Sequence, residues 1–240
     1  MKYVGSKNRI SKYLLPILQG YIDENNIKTY YEPCVGGANM IDKIKCENRI
    51  GNDIHPQLIA MFNELQKGWR PPSHISEEEY NKVRENKEIY PDYYVGFVGF
   101  NSTFGAKYFG GYARGFKADK VTPRDISNEA YRNLMRQLPD IMNVKFVCSD
   151  FLDNEYCELK DALIYIDPPY ATDFIKISLE KIIEYELVNE NTKIIVETDD
   201  ETRILNQIEK MDVEITDKRK YGRATIIFLK YRKTQIPRKG

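Results

Sequence analysis

The most chemically specific stretch of the sequence is Asp167-Pro168-Pro169-Tyr170, which follows the apolar run Ala162–Ile166. That run predicts a buried parallel strand, and open α/β sheets bind their ligands at the carboxyl ends of such strands. Two consecutive prolines remove two backbone donors and stiffen the chain, while their carbonyls remain acceptors. If Asp167 and the Pro168 carbonyl accepted both hydrogens of a ring NH2 group, the nitrogen lone pair would be aimed at an electrophile, with Tyr170 stacked on the ring. A plain turn at the end of a strand is the alternative.

A second candidate binding element is a turn. It follows the first predicted strand, which covers residues 28–35. Gly36 and Gly37 form this turn, shortly after Glu32 and Pro33. Because glycine has no side chain, the backbone here can approach a ligand closely. The spacing is not GxGxxG, and a strand-to-helix turn that simply requires glycine remains the alternative.

Acidic residues also end two further predicted strands. Asp53 closes the strand over residues 49–53, where a carboxylate can reach the two hydroxyls of a ribose. It can also cap the helix that Pro56 begins, and the two roles are compatible. Asp150 and Phe151 follow a later strand and could hold an adenine, with Asp150 at the amine and Phe151 on the ring face. A surface turn explains this pair equally well.

A single lysine near the N-terminus is the remaining candidate. Lys7 lies two residues after Gly5. A solvated lysine is the ordinary interpretation of such a residue. The functional interpretation is a clamp on the carboxylate of a small ligand.

The elements that must position these residues follow an α/β rhythm that opens as strand, glycine turn, helix, strand and acid, and the sequence predicts a doubly wound sheet. The strands are predicted at residues 28–35, 49–53, 144–148, 162–166, 193–197, 213–216 and 224–231. The helices are predicted at residues 8–20, 38–46, 56–68, 76–88, 127–138, 175–185 and 201–211. The last two strands read as a hairpin, which would place an antiparallel pair at the edge of the sheet.

This rhythm is interrupted by an insertion over residues 69–140, so that residues 1–68 and 141–240 would form the core domain. Within the insertion, residues 93–124 are rich in glycine and aromatic side chains. They also carry five basic residues against a single Asp119, namely Lys107, Arg114, Lys117, Lys120 and Arg124. A basic aromatic segment is typical of a nucleic-acid contact, and a packed aromatic cluster with solvated lysines is the alternative.

Composition excludes several classes of protein. The chain has 240 residues, of which 36 are basic and 36 acidic, so its formal net charge is zero and a globally basic nucleic-acid binder is not indicated. A membrane span would need about 18 consecutive apolar residues, and none is present. The four cysteines form no CxxC pair and only two histidines exist, which argues against a zinc site and predicts reduced thiols in the cytoplasm.

Several motifs in combination resemble the Dam-like DNA adenine methyltransferases of phages and bacteria, in the α-group motif order. The matching stretches are KYVGSK at the N-terminus, EPCVGGANM, NDI, VGFNSTFGAKYFGGYARG and finally DPPY. The resemblance covers about residues 1–170. It implies a Rossmann-like, S-adenosylmethionine-dependent methyltransferase sheet with the insertion as a helical and loop-rich target-recognition region.

The resemblance also implies roles for individual residues. S-adenosylmethionine would be bound by Tyr3, Gly5, Lys7, Glu32, Pro33, Gly36, Gly37, Asp53, Asp150, Phe151 and Asp167. The flipped adenine would be held by Asp167, Pro168, Pro169 and Tyr170. Double-stranded DNA would be contacted by Asn101, Lys107, Arg114, Lys117, Lys120 and Arg124. No metal is expected, and a cognate restriction endonuclease is a candidate partner in a bacterial or phage-infected cell.

After Tyr170 the sequence departs from the Dam-like pattern. The stretches ATDFIKISLEKIIEYELVNENTKIIVETDD and RKYGRATIIFLKY are more similar to the small-subunit ribosomal RNA guanine-N2 methyltransferases, which also use DPPY. An RNA guanine methyltransferase and a catalytically idle DNA-binding relative are therefore the alternatives to an adenine-specific DNA methyltransferase. A nicotinamide-dependent dehydrogenase is a more distant one, because the chain lacks GxGxxG.

Overall fold

The computed structural model describes residues 1–150, 159–167, 173–184, 187–221 and 224–232. Within these ranges, one sheet contains seven strands: β1 Thr29–Glu32, β2 Asn48–Asp53, β3 Val144–Cys148, β4 Ala162–Ile166, β5 Lys193–Thr198, β6 Val213–Tyr221 and β7 Ala224–Tyr231. Their order is β3-β2-β1-β4-β5-β7-β6. The first five strands are parallel, and β7 runs antiparallel to both β5 and β6. The predicted α/β sheet with an antiparallel edge hairpin is confirmed.

Helices cover both faces of the sheet, as a parallel sheet requires. They are α1 Ser11–Glu24, α2 Pro56–Gln66, α3 Glu77–Glu85, α4 Asp92–Asn101, α5 Ile126–Ile141, α6 Phe174–Glu184 and α7 Glu201–Ile208. The first five helices share one buried apolar cluster, and α6 and α7 share a second. Tyr30 and Tyr31 are neighbours on β1 yet belong to different clusters, because successive strand residues point to opposite faces.

Residues 69–140 contain α3, α4, α5 and a long loop between the last two. Helix α4 packs closely on α2 at Gly96, where an added Cβ would lie 2.1 Å from the backbone oxygen of Gln57. The two ends of the loop meet, since the hydroxyl oxygens of Ser102 and Ser127 are 3.3 Å apart, and Ser127 also accepts a hydrogen bond from the amide of Ile75. The loop is therefore tied at its base to the helices that flank it.

The helix predicted over residues 38–46 is wrong, because the structure has a series of turns there. Ala38 adopts a left-handed φ of 55°, which a helix does not allow. The side-chain amide of Gln137, on α5, donates to the carbonyls of Gly37 and Ala38. A contact from about 100 residues away thus supports the observed turns.

Two smaller differences concern the ends of elements. Strand β6 continues to Tyr221, well past the predicted end at residue 216, because a register shift between Ile215 and Asp217 lets it remain paired with β7. Helix α3, which lies within the helix predicted over residues 76–88, begins with a cap in which the hydroxyl of Ser76 accepts a hydrogen bond from the amide of Glu79. Among the described residues, no helix is both long and apolar enough to cross a membrane.

Candidate functional site

The sequence-predicted residues gather at the carboxyl edge of the sheet. Because β1 pairs with both β2 and β4, this edge includes the point where the strand order reverses. A cavity of about 770 Å³ opens there, called here the strand-end cavity. Its lining includes the predicted residues Tyr3, Gly5, Lys7, Glu32, Pro33, Gly36, Gly37, Asp53, Asp150 and Asp167. Four further predicted residues, Phe151, Pro168, Pro169 and Tyr170, lie outside the described residues.

The glycine turn presents bare backbone to this cavity. Gly36 has a φ of 48°, and an added Cβ would lie 2.7 Å from the ring of Tyr3. Its amide donates to Asp53 Oδ2 at 3.0 Å, and the amide of His55 donates to Asp53 Oδ1 at 3.0 Å. Burial raises the pKa of Asp53, against these amide donors, which lower it. The turn after β1 and the end of β2 are therefore locked together by one carboxylate.

Lys7 is the centre of a buried charge cluster. It begins a short 3₁₀ turn, Lys7–Arg9, and is 7% exposed. Its ammonium lies 2.8 Å from Asp167 Oδ1 and 2.8 Å from Glu197 Oε1. Burial acts to lower the pKa of Lys7, but the two carboxylates outweigh it and raise the pKa above its usual value. Sequence reasoning predicted a clamp on a ligand carboxylate, and the structure gives Lys7 two carboxylates of its own chain.

Asp167 follows the end of β4, and its surroundings have opposing effects on its pKa. Burial raises its pKa, the Lys7 ammonium lowers it, and the Glu197 carboxylate raises it, so that the pKa lies above the usual aspartate value. A carboxylate with a raised pKa is a better acceptor of protons than one in water, and strongly shifted groups in a cleft are candidates for chemistry.

Sequence reasoning missed Glu197. It lies near the end of β5, is 5% exposed, and accepts a hydrogen bond from the hydroxyl of Tyr165 in addition to the Lys7 contact. The rule that identified Asp53 and Asp167, an acid at the carboxyl end of a buried parallel strand, also applies to the segment IIVET and could have identified it.

Glu32 and Asn52 support the same edge. The hydroxyl of Tyr30 donates to Glu32 Oε1 at 2.8 Å. Burial raises the pKa of Glu32 to about 8, against the Tyr30 hydrogen bond, which lowers it. The side-chain amide of Asn52, also absent from the predicted site, donates to the carbonyls of Pro33 and Ser149 at 3.1 Å each. It thereby ties together the turns that follow β1 and β3.

Aromatic side chains close one wall of the strand-end cavity. The ring of His55 contacts those of Phe100 and Tyr108, with centroid distances of 4.9 and 4.3 Å. Nδ1 of His55 is buried and has no hydrogen-bond partner in the described part of the chain. Tyr108 and Lys107 belong to residues 93–124, called here the glycine-rich window. This window therefore contributes directly to the cavity.

A second space adjoins the first and is called here the side groove. Its volume is about 880 Å³, and Glu197 lines it together with Phe104, Gly105 and Ala106. Both spaces are lined by the N-terminal loop and one residue of the window, namely Tyr3, Gly5, Ser6, Lys7 and Ala106. Lys7 therefore stands at the partition between the cavity and the groove.

The residues predicted to contact DNA are only partly brought together. Arg114 and Arg124 both line the side groove, and each forms a two-point pair through Nε and Nη2, Arg114 with Glu77 and Arg124 with Glu129. The structure does not bring Asn101 to that surface, because it is 2% exposed with its amide nitrogen 3.6 Å from the sulfur of Met61. Lys107, Lys117 and Lys120 are exposed on the loop.

Known proteins resemble this chain in sequence and in structure. A family model described as D12 class N6 adenine-specific DNA methyltransferase matches residues 3–186, which is more than half of the chain. Type II methyltransferase M.MjaIII of Methanocaldococcus jannaschii is 23% identical over 202 residues, which represent 71% of this chain and 68% of that protein.

Two solved structures are similar over most of the chain. A ribosomal protein L11 methylase from Lactobacillus delbrueckii subsp. bulgaricus has a TM-score of 0.46 and 10% identity, covering 90% of this chain and 76% of the other. An RNA methyltransferase from Salinibacter ruber in complex with S-adenosyl-L-homocysteine has a TM-score of 0.40 and 10% identity, covering 93% and 94%.

The family match confirms the predicted resemblance to adenine-specific DNA methyltransferases. The chain belongs to the D12 class of N6 adenine-specific DNA methyltransferases.

Proposed function

We propose that the protein transfers a methyl group from S-adenosylmethionine to the exocyclic N6 amine of an adenine that is flipped out of duplex DNA. The observation that carries this proposal is the position of Lys7, which lines both the strand-end cavity and the side groove and pairs with Asp167. If one space holds the methyl donor and the other admits the nucleotide, the two reactants meet beside these side chains.

The strand-end cavity fits S-adenosylmethionine in size and chemistry. Pockets for ligands of this size are roughly 300–1,000 Å³, a range that includes this cavity. The bare backbone at Gly36 and Gly37 would approach the ligand, and Asp53 would hold the ribose hydroxyls. His55 offers a buried ring nitrogen in the same wall. These residues form a set suited to a nucleoside that carries a polar chain.

Bound S-adenosylmethionine would supply an electrophilic methyl on a positively charged sulfur. Asp167 would accept hydrogens of the adenine amine and hold its nitrogen while that nitrogen bonds to the methyl carbon. The carbon–sulfur bonding pair would remain with sulfur, and the surplus proton of the nitrogen would pass to the Asp167 carboxylate. A raised pKa suits Asp167 to this last step, and its charge would stabilise the cation that develops on the nitrogen.

The depth of the site supports the proposal of base flipping. Lys7 is buried between the two spaces, so an adenine stacked inside a duplex could not reach it. Extrusion of the base would cost a few kcal/mol of unstacking and unpairing. Aromatic stacking returns roughly 1–3 kcal/mol per base in single-strand binding, and Tyr170 is the residue proposed for that contact.

Residues 69–140 are the proposed target-recognition region, joined to a catalytic core of residues 1–68 and 141–240. Arg114 and Arg124 support this proposal because they line the groove that leads to Lys7. Their glutamate pairs use Nε and Nη2, so the end-on edge of each guanidinium is not used in those pairs and suits the O6 and N7 acceptors of a guanine. Phosphate contacts that position the duplex would come from Lys107, Lys117 and Lys120.

The activity is tested with radiolabelled S-adenosylmethionine and two substrates, unmethylated plasmid DNA and total RNA, offered side by side. Nucleoside analysis of the product is expected to yield N6-methyladenine from DNA. Methylguanine in RNA would instead mean that the last third of the chain sets the substrate. Cofactor binding without any product would identify an idle relative and contradict the proposal.

Replacement of Asp53 by asparagine is expected to raise the Kd for S-adenosylmethionine about 10- to 100-fold, since a hydrogen bond to a charged group contributes roughly 1.5–3 kcal/mol. Isothermal titration calorimetry measures this change. Asp23→Asn, an exposed position on α1, is the matched control and should leave the Kd unchanged. Equal affinities of wild type and Asp53→Asn would refute the ribose contact.

Arg114→Ala and Arg124→Ala are expected to relax sequence choice at one base pair each, by about 1–3 kcal/mol if the guanidinium reads a base. Sequencing the methylated positions on plasmid DNA measures this choice. Lys117→Ala is the comparison: it should weaken binding uniformly and lower the salt slope by about one. Uniform weakening by the arginine variants would make them phosphate contacts instead.

The setting of the activity is part of the same proposal. Double-stranded DNA is the proposed macromolecular partner, and the cytoplasm of a bacterial or phage-infected cell is the proposed location. A cognate restriction endonuclease is a candidate partner because one relative of this chain is a Type II methyltransferase.

A further inference from the structure

Glu197 is a buried carboxylate that the proposed chemistry does not yet use. It lies at the end of β5 with one oxygen 2.8 Å from the Lys7 ammonium, while the other accepts the hydroxyl hydrogen of Tyr165. Every one of these groups is buried, so their charges are poorly screened by water. Burial of a carboxylate is energetically costly, so its position beside Lys7 and Asp167, with two specific partners, suggests a role in the site.

The charge balance of the cluster supplies that reason. Lys7 carries one positive charge, and Asp167 and Glu197 carry one negative charge each when ionised, so the cluster has a surplus of one negative charge. The other groups that face Asp167 add little to this sum, since burial raises the pKa of Glu32 to about 8 and the hydroxyls of Tyr30 and Tyr165 are neutral. Without Glu197, Lys7 and Asp167 would cancel each other.

Position supports the same interpretation. Asp167 lines the strand-end cavity, Glu197 lines the side groove, and Lys7 lines both. The transfer moves one positive charge from sulfur to nitrogen, and a site with a surplus negative charge favours that cation throughout. If Lys7 were paired with Asp167 alone, its full positive charge would act on that carboxylate. Asp167 would then be a weaker acceptor for the hydrogens of the amine.

We propose that Glu197 is a positioning residue for methyl transfer, which anchors the Lys7 ammonium between the cavity and the groove and shares its charge, so that Asp167 remains an acceptor for the adenine amine. The inference rests on the proposed function. Glu197 acts through Lys7 and does not itself touch the reacting atoms. Its effect must therefore depend on whether Lys7 is present.

This dependence is tested with Glu197→Gln in two backgrounds, wild type and Lys7→Met. Glutamine keeps the shape of glutamate and removes only the charge. In the wild type, single-turnover methylation of plasmid DNA is expected to slow roughly 10- to 100-fold, which is less than the roughly 10²- to 10³-fold loss for a group that stabilises the transition state directly, because Glu197 acts through Lys7. In Lys7→Met, two carboxylates face each other without a cation, and the same substitution is expected to speed methylation because it removes their repulsion.

The pH profile provides a second readout. Removal of the Glu197 charge should make Asp167 easier to ionise, so the acid limb of the rate profile should move to lower pH. Tyr165→Phe, which leaves that charge in place, should keep the wild-type profile. Glu180→Gln, an exposed position on α6, is the control for loss of a carboxylate and should leave both rate and profile unchanged.

The outcomes separate the two claims. Production of N6-methyladenine by the wild type upholds the proposed function whatever Glu197→Gln does, and a wild type that makes no methylated product overturns both. With an active wild type, an equal slowing in both backgrounds and an unmoved pH profile would make Glu197 a merely structural residue. If Glu197→Gln does not fold, Glu197→Asp keeps the charge and is expected to retain the acid limb of the wild type; a moved limb would overturn the inference.

Discussion

Replacement of Asp167 by alanine is expected to slow methyl transfer by at least about 10³-fold, the upper range for loss of a group that stabilises charge or moves a proton in the transition state. The amine would lose its acceptor, and the cation that develops on nitrogen would lose its nearest negative charge. The affinity for S-adenosylmethionine is expected to fall only moderately, because Asp53 and the glycine turn remain. Single-turnover rates and calorimetric Kd values measure the two effects separately.

The fold should survive this substitution for a structural reason. Lys7 would still pair with Glu197, so no buried ammonium would be left alone. Asp167→Asn is the matched variant, since it keeps the shape but presents an NH2 group that competes with the amine for acceptors. We expect it to be nearly as slow as the alanine variant. Unchanged turnover in either variant would contradict the role of Asp167 as amine acceptor.

Replacement of Gly96 by valine is expected to lower the free energy of unfolding by about 3 kcal/mol or more, at the upper end of overpacking effects. The added Cβ would lie 2.1 Å from the backbone oxygen of Gln57, and a backbone atom can give way only if α4 moves off α2. For a domain of this size, 3 kcal/mol corresponds to a Tm lower by roughly 6–12 °C. Calorimetry or thermal denaturation followed by circular dichroism measures it.

Gly20 on α1 is the matched control for this prediction. It is also a helical glycine, but an added Cβ would meet no atom within 4 Å. Glycine and valine are both weak helix formers, so Gly20→Val should change stability by less than about 0.5 kcal/mol. Similar losses at the two positions would mean that helix propensity, and not the contact between α4 and α2, explains the effect.

The strands of this protein are largely predictable from the sequence, because a buried strand needs only local apolar residues. The predicted bounds of β3, β4 and β7 agree with the observed ones. Asp53 and Asp167 were predicted to lie at the same edge of the sheet because each follows or ends a parallel strand. The turns after residue 37 were not predictable, because two of the hydrogen bonds that support them come from Gln137 on a distant helix.

The rest of the site depends on which strands are neighbours in the sheet and on contacts between distant residues, neither of which can be inferred from the sequence. Glu197 matters because β5 lies beside β4, which brings its carboxylate to Lys7. The contact of Tyr108 with His55 similarly joins two residues that are far apart in the sequence. Exposed basic residues of the window were predicted as a group, but their glutamate partners come from α3 and α5 and could not be assigned by spacing.

The hydroxyl contact between Ser102 and Ser127 has an evolutionary consequence. A loop whose two ends are already joined can be lengthened at little entropic penalty, since doubling a flexible loop costs only about 0.6 kcal/mol. Its first part is constrained, because Ala106 and Tyr108 line the strand-end cavity. Beyond Ala113, which is buried and whose amide donates to the carbonyl of Ser102, the loop is free to diverge or to be exchanged between relatives. New target sequences could thus arise by drift in about a dozen positions while the chemistry beneath them stays the same.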